Sequence, residues 1–181
     1  MKKIIIFSTA VLGFNLAANA QATSSANQNV ALSLSNAISI TFTGSGTSTG
    51  GAVSIPFTTV SDYTNGVTSS GQQLKVQSNK VFNVTVNANA ANFTYSGTTS
   101  PAPVMPVSNL NIMVTNNNTG GTIAGSYGSS YNDLTTTPAT ILTNCTNGGN
   151  QLFEIKYQAT PGFSYPAGTY TTNVVFTATQ P

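Results

Sequence analysis

Apolar residues recur at every second position in short runs, and the runs are separated by Gly, Pro and Asn. Ile38/Ile40/Phe42, Leu74/Val76, Phe82/Val84/Val86, Leu110/Ile112/Val114 and Phe153/Ile155/Tyr157 all follow this rule. Successive side chains of a strand point to opposite faces, so each run reads as a strand with one apolar face. The closing stretch Gly168–Thr179 is the longest of them. It sets Tyr170, Thr172, Val174, Phe176 and Ala178 against a threonine-rich face of Thr171, Asn173, Val175, Thr177 and Thr179. Beyond the amino-terminal segment no stretch shows a 3.6-residue apolar period. The pattern predicts an all-β chain, a single antiparallel β-sandwich of about 7–9 strands, with a closed barrel as the competing architecture.

The first twenty residues read as a signal peptide. Lys2-Lys3 precedes a mostly apolar run from Ile4 to Leu16, and Ala18-Asn-Ala20 fits a cleavage site before Gln21. The run is too short for a membrane span, which needs ~20 apolar residues. The expectation is a secreted protein, in the periplasm, on the outer surface or in the medium, with no transmembrane segment after cleavage. Residues 21–29 are small and polar and read as a flexible leader. Residues 30–181 suffice for one domain with a real core.

Charged residues make up 4% of the chain, far below the ~25% of ordinary domains. Past residue 20 the charges are Lys75, Lys80, Lys156, Asp62, Asp133 and Glu154, with no Arg and no His. Phosphate backbones are held by Lys and Arg, so nucleic acid is excluded as a natural partner. Low net charge favours association over repulsion, which suits self-association or contact with other surface proteins.

Taken in order, Val30, Leu32 and Leu34 alternate with Ala31, Ser33 and Ser35 and read as a first strand of the sandwich, followed by Ile38–Phe42. Val53, Ile55 and Phe57 have strand spacing, with Pro56 marking an edge or an end. Residues 61–71 read as a loop. Gln72–Gln77 and Lys80–Ala88 flank Ser78-Asn79 as a hairpin candidate. Residues 122–138 are the least patterned part and the longest loop candidate, and long loops carry function.

Without histidine, Ser-His-Asp and Cys-His chemistry is excluded. No Cys/His/carboxylate cluster exists for zinc, and no acidic loop for calcium, so no metal or cofactor is expected. A glycosidase pair would have to come from Asp62, Asp133 and Glu154, which are far apart in sequence. No catalytic residue is assigned, and the chain reads as a non-enzyme. Cys145 is the only cysteine, so no internal disulfide can form; it reads as a small, partly buried hydrophobe, with an intermolecular disulfide or a reactive thiol as the alternative. Tyr127 and Tyr131 stand in the long loop beside Asn and Ser, and are candidate glycan-contact aromatics. Phe163 and Tyr165, flanked by prolines, read as caps on the open end of the core.

The Lys-Lys signal segment, the uncharged Thr/Asn-rich chain and the closing Gly168-Thr-Tyr170…Val174-Val-Phe176-Thr-Ala178 strand resemble secreted bacterial surface β-sandwiches. The resemblance is to fimbrial subunits of the chaperone–usher type and to spore-coat-U-type proteins. It implies an Ig-like or pilin-like sandwich and a structural or adhesive role at the cell surface. A carbohydrate-binding module is the alternative. The chain departs from many such pilins in lacking a cysteine pair. In a pilin-like scheme Val30, Leu32 and Leu34 become a strand-exchange segment that fills a groove in a neighbouring subunit.

Overall fold

A computed structural model describes residues 23–181, so the expected signal peptide lies outside the described residues. The chain divides into a unit ending at Leu34 and a unit spanning Ser35–Pro181. The second unit holds all the regular structure described. Its elements are β1 (Ile38–Phe42), α1 (Val60–Asn65), β2 (Val67–Thr68), β3 (Gln72–Ser78), β4 (Phe82–Ala88), β5 (Thr94–Ser96), a 3-10 turn (Val107–Asn109) and β6 (Leu110–Asn118). There follow β7 (Thr122–Ile123), β8 (Asn132–Asp133), β9 (Ala139–Cys145), β10 (Gly148–Ala159), β11 (Thr169–Thr171) and β12 (Val174–Thr179).

The strands form an antiparallel β-sandwich. One sheet has the order β1-β3-β10-β6-β8, with β2 also on β10; the other runs β12-β4-β9-β7; β11 and β5 make a small separate ribbon. Leu74, Val76, Phe153, Ile155, Ile112 and Val114 point in from the first sheet. Phe82, Val84, Val86, Ile141, Leu142 and Cys145 point in from the second, and all of these are buried. On β10 the alternation is carried through, with Phe153, Ile155 and Tyr157 inside and Glu154 and Lys156 outside.

Four expectations are corrected. Val30, Leu32 and Leu34 form no strand, and their side chains are 73%, 87% and 88% exposed. The register gives the reason. Ile38 pairs with Ser78, the last residue of β3, so a strand upstream of Ile38 would have no ladder partner there. The segment at 52–57 also has no strand, and a helix follows it where a loop was expected.

The third correction concerns Ser78-Asn79. It is not a hairpin turn, because β3 and β4 belong to different sheets. Their apolar faces meet across the core instead of lying side by side. The fourth concerns Gly168–Thr179, which is two strands. β11 pairs with β5, and β12 pairs with β4 in register Phe176↔Val86. Asn173 pins the break: its N–H donates to Asn89 Oδ1 (3.2 Å), and its carbonyl accepts from the Asn89 N–H (3.0 Å).

The two ends of the sandwich meet at one pole. Gln180 Nε2 donates to Ala37 O (3.0 Å), Ser78 Oγ (2.9 Å) and Asn79 Oδ1 (3.1 Å). Asn79 Nδ2 in turn donates to Ser35 O at 2.7 Å.

Candidate functional site

At the opposite pole, three connections bring six aromatic rings together. The first is the segment before β2. Thr59 begins α1 with a capping box: its hydroxyl accepts from the Asp62 N–H, and the Asp62 carboxylate accepts from the N–H groups of Thr58 (2.8 Å) and Thr59 (2.7 Å). Those bonds hold the Asp62 carboxyl below its ordinary pKa. The cap fixes the helical turn that carries Tyr63, and Phe57 reaches Tyr63 with centroids 5.3 Å apart. The second connection is the β10–β11 link, which lays Phe163 on Tyr63 at 5.4 Å with the planes only 23° apart. The third is the β5/β11 ribbon, whose register sets Tyr95 directly across from Tyr170, with centroids 5.1 Å apart. Tyr165 meets Tyr170 edge-on at 6.3 Å.

Three of these rings, Tyr95, Tyr165 and Tyr170, are held by their own hydroxyls. Tyr95 Oη donates to Ala167 O (3.1 Å) and accepts from the Thr99 N–H (3.2 Å). Tyr170 Oη donates to Pro166 O (2.8 Å), and Tyr165 Oη accepts from Asn109 Nδ2 (3.4 Å). Glycines cradle Tyr95: a methyl on Gly168 would lie 2.3 Å from its Cε2, and one on Gly97 would lie 2.2 Å from its Oη. Burial first, then the phenols of Tyr95, Tyr165 and Tyr63, push the Tyr170 phenol up. The two ring triads stand at the same end of the sandwich. All six rings stand outside the buried core cluster and the side chains packed on it. Phe163 is 66% exposed.

The sequence candidates fall elsewhere. Tyr127 is half-buried and packs on the core, and burial pushes its phenol up. Its carbonyl accepts from the Val114 N–H, which ties it to β6. Tyr131 is half-buried beside β8. Neither ring pairs with another aromatic ring among the described residues. Of Phe163 and Tyr165, expected as core caps, Phe163 is exposed and Tyr165 half-buried, and both belong to the group of rings.

Each carboxylate has a local partner. Asp62 caps α1, Asp133 accepts from Asn111 Nδ2, and Glu154 accepts from Thr115 Oγ1 at 2.7 Å. Among the described residues no group of three or more Cys, Asp or Glu could hold a metal. No described helix is long and apolar enough to cross a membrane. Cys145 is fully buried, with Thr119 Oγ1 at 3.1 Å, and burial pushes its thiol up.

A second feature lies along the side of the sandwich. β1 and β12 are edge strands of different sheets. Between them runs a cleft of about 170 Å³ lined by Ile40, Phe42, Leu74, Val174 and Phe176, together with the polar Thr41 and Ser48.

No protein-family model matches the chain, and no curated protein matches it. Among solved structures it is similar to a family 123 glycoside hydrolase from Clostridium perfringens, described for glycolipid glycan hydrolysis. The identity is 12% and the TM-score 0.36, over 82% of this chain and 25% of that one. The chain thus spans a quarter of that enzyme's length, and no activity passes from it to this protein.

Proposed function

We propose that this is a non-enzymatic, secreted bacterial surface protein, a pilin-like or coat-like subunit with a structural or adhesive role. One observation carries the reading. Val30, Leu32 and Leu34 present three large aliphatic side chains at strand spacing, exposed and unpaired, ahead of a sandwich whose strands begin only at Ile38. Three exposed aliphatics in a row are unfavourable in water and gain by burial, roughly 1.5–3 kcal/mol for each side chain fully covered.

The occupant we assign to them is a neighbouring copy. The outer edge of β12 offers unpaired backbone groups, and the cleft beside it offers apolar walls. An extended segment can add to such an edge by main-chain hydrogen bonds and seat alternate side chains in the cleft. Past residue 20 the three lysines balance the three carboxylates, so net charge does nothing to oppose the approach.

Light scattering on residues 21–181 tests this. The expected result is a set of oligomers that collapses to monomer in Leu32→Asp and in a chain lacking residues 21–34, with the thermal midpoint of the sandwich unchanged. Monomers throughout would overturn the proposal.

A further inference from the structure

We infer that the aromatic pole is a binding site for an uncharged glycan, recognised by the apolar faces of its pyranose rings. The inference stands apart from the strand-addition reading and uses none of its residues. It starts from what the six rings are not: they are not core. Tyr127 is half-buried and packs against the core cluster; the six rings do not pack against it, and Phe163 is exposed.

Three features then set the ligand's chemistry. The first is ring geometry. Phe163 has one face resting on Tyr63, and its exposure leaves the other face open to solvent. An aromatic face is the negative end of a quadrupole and attracts C–H groups, which a pyranose gathers on one side of its ring. The second is order. The hydroxyls of Tyr95, Tyr165 and Tyr170 are already bonded within the protein, and Gly97 and Gly168, by lacking a side chain, leave the space that Tyr95 occupies. Rings fixed before binding lose little entropy on binding. The third is charge. Residues 57–65, 94–99 and 162–171 contain a single charged side chain, Asp62, and that one is spent on the helix cap. Nothing on these segments would pair with a phosphate, sulfate or uronate. The same segments carry the hydroxyl side chains Ser61, Thr64, Ser164 and Thr169 instead, and an apolar site uses a few polar groups to orient a ligand.

The test is depletion of residues 21–181 from solution by insoluble neutral polysaccharides (cellulose, chitin, β-1,3-glucan, starch and mannan), with calcium alginate as the charged control. At least one neutral polymer is expected to deplete the protein and alginate is not. Phe163→Ala, at an exposed position, keeps the thermal midpoint and weakens the depletion about tenfold, while Phe163→Tyr retains it. Three results would each overturn the inference: no neutral polymer binds, alginate alone binds, or Phe163→Ala binds as the unaltered protein does.

Discussion

Phe42 and Phe176 meet edge to face across the open side of the sandwich, with ring centroids 6.0 Å apart and planes at 82°. They come from the edge strands of different sheets, β1 and β12, which share no ladder. Phe176 also leans on the buried Phe153 at 6.5 Å. On the side of the molecule where no hydrogen-bond ladder joins them, the two sheets thus meet through side chains.

Phe176→Ala should therefore cost about 3 kcal/mol, at the low end for a phenylalanine because Phe176 is only half-buried. Urea unfolding at constant m-value reads this directly. Phe42→Ala in the same background should cost less than it does alone, since the two rings are one contact.

Cys145 should resist modification. It is fully buried and its thiol is pushed up, so the thiolate that reacts is scarce and out of reach. A maleimide should label it only after unfolding in guanidinium chloride. Rapid labelling of the folded protein, or a disulfide-linked dimer on a non-reducing gel, would contradict the packing described.

Stability should fall on the alkaline side and change little on the acid side. Burial holds the Tyr157 phenol far above its ordinary value of 10.0. Below pH 10 both folded and unfolded chains keep that proton, and stability does not depend on it. Above pH 10 the unfolded chain ionises first, so folding loses up to ~1.4 kcal/mol per pH unit for this one group. The acid limb has little to draw on. Asp62 is held low, so its contribution is present above about pH 4 and fades below it. It is half-buried, and with Asp133 and Glu154 it completes the set of carboxylate side chains. Thermal midpoints from pH 2 to 11 should show a flat acid side and a falling alkaline side, and Tyr157→Phe should flatten the latter.

Where alternation coincides with a partner on each side, the sequence was a sufficient guide. Leu74/Val76, Phe82/Val84/Val86, Ile112/Val114 and Phe153/Ile155 are core, as their spacing predicts. Alternation does not say what a strand pairs with. Val30/Leu32/Leu34 has the same spacing as Ile38/Ile40/Phe42, and only the register on β3 separates the exposed run from the paired one. The same blindness turned the β3–β4 crossing into an expected hairpin, since apolar faces that meet across a core alternate just as those side by side do. Helix α1 left a readable mark, the Thr59–Asp62 capping pair, in a stretch otherwise dominated by turn residues. The aromatic patch left none. Its rings come from three connections that only the assembled sheets bring to one end, while Tyr127, in the most loop-like stretch, folds back onto the core.

The bond from Gln180 to Ala37 joins the first strand of the sandwich to its last, at the pole where β12 ends. The six rings gather where β12 begins, a strand length of roughly 20 Å away at ~3.3 Å per residue. Both directions in which the chain leaves the sandwich thus share one pole. A partner domain joined directly before Ala37 or directly after Gln180 is therefore attached at the pole away from the rings.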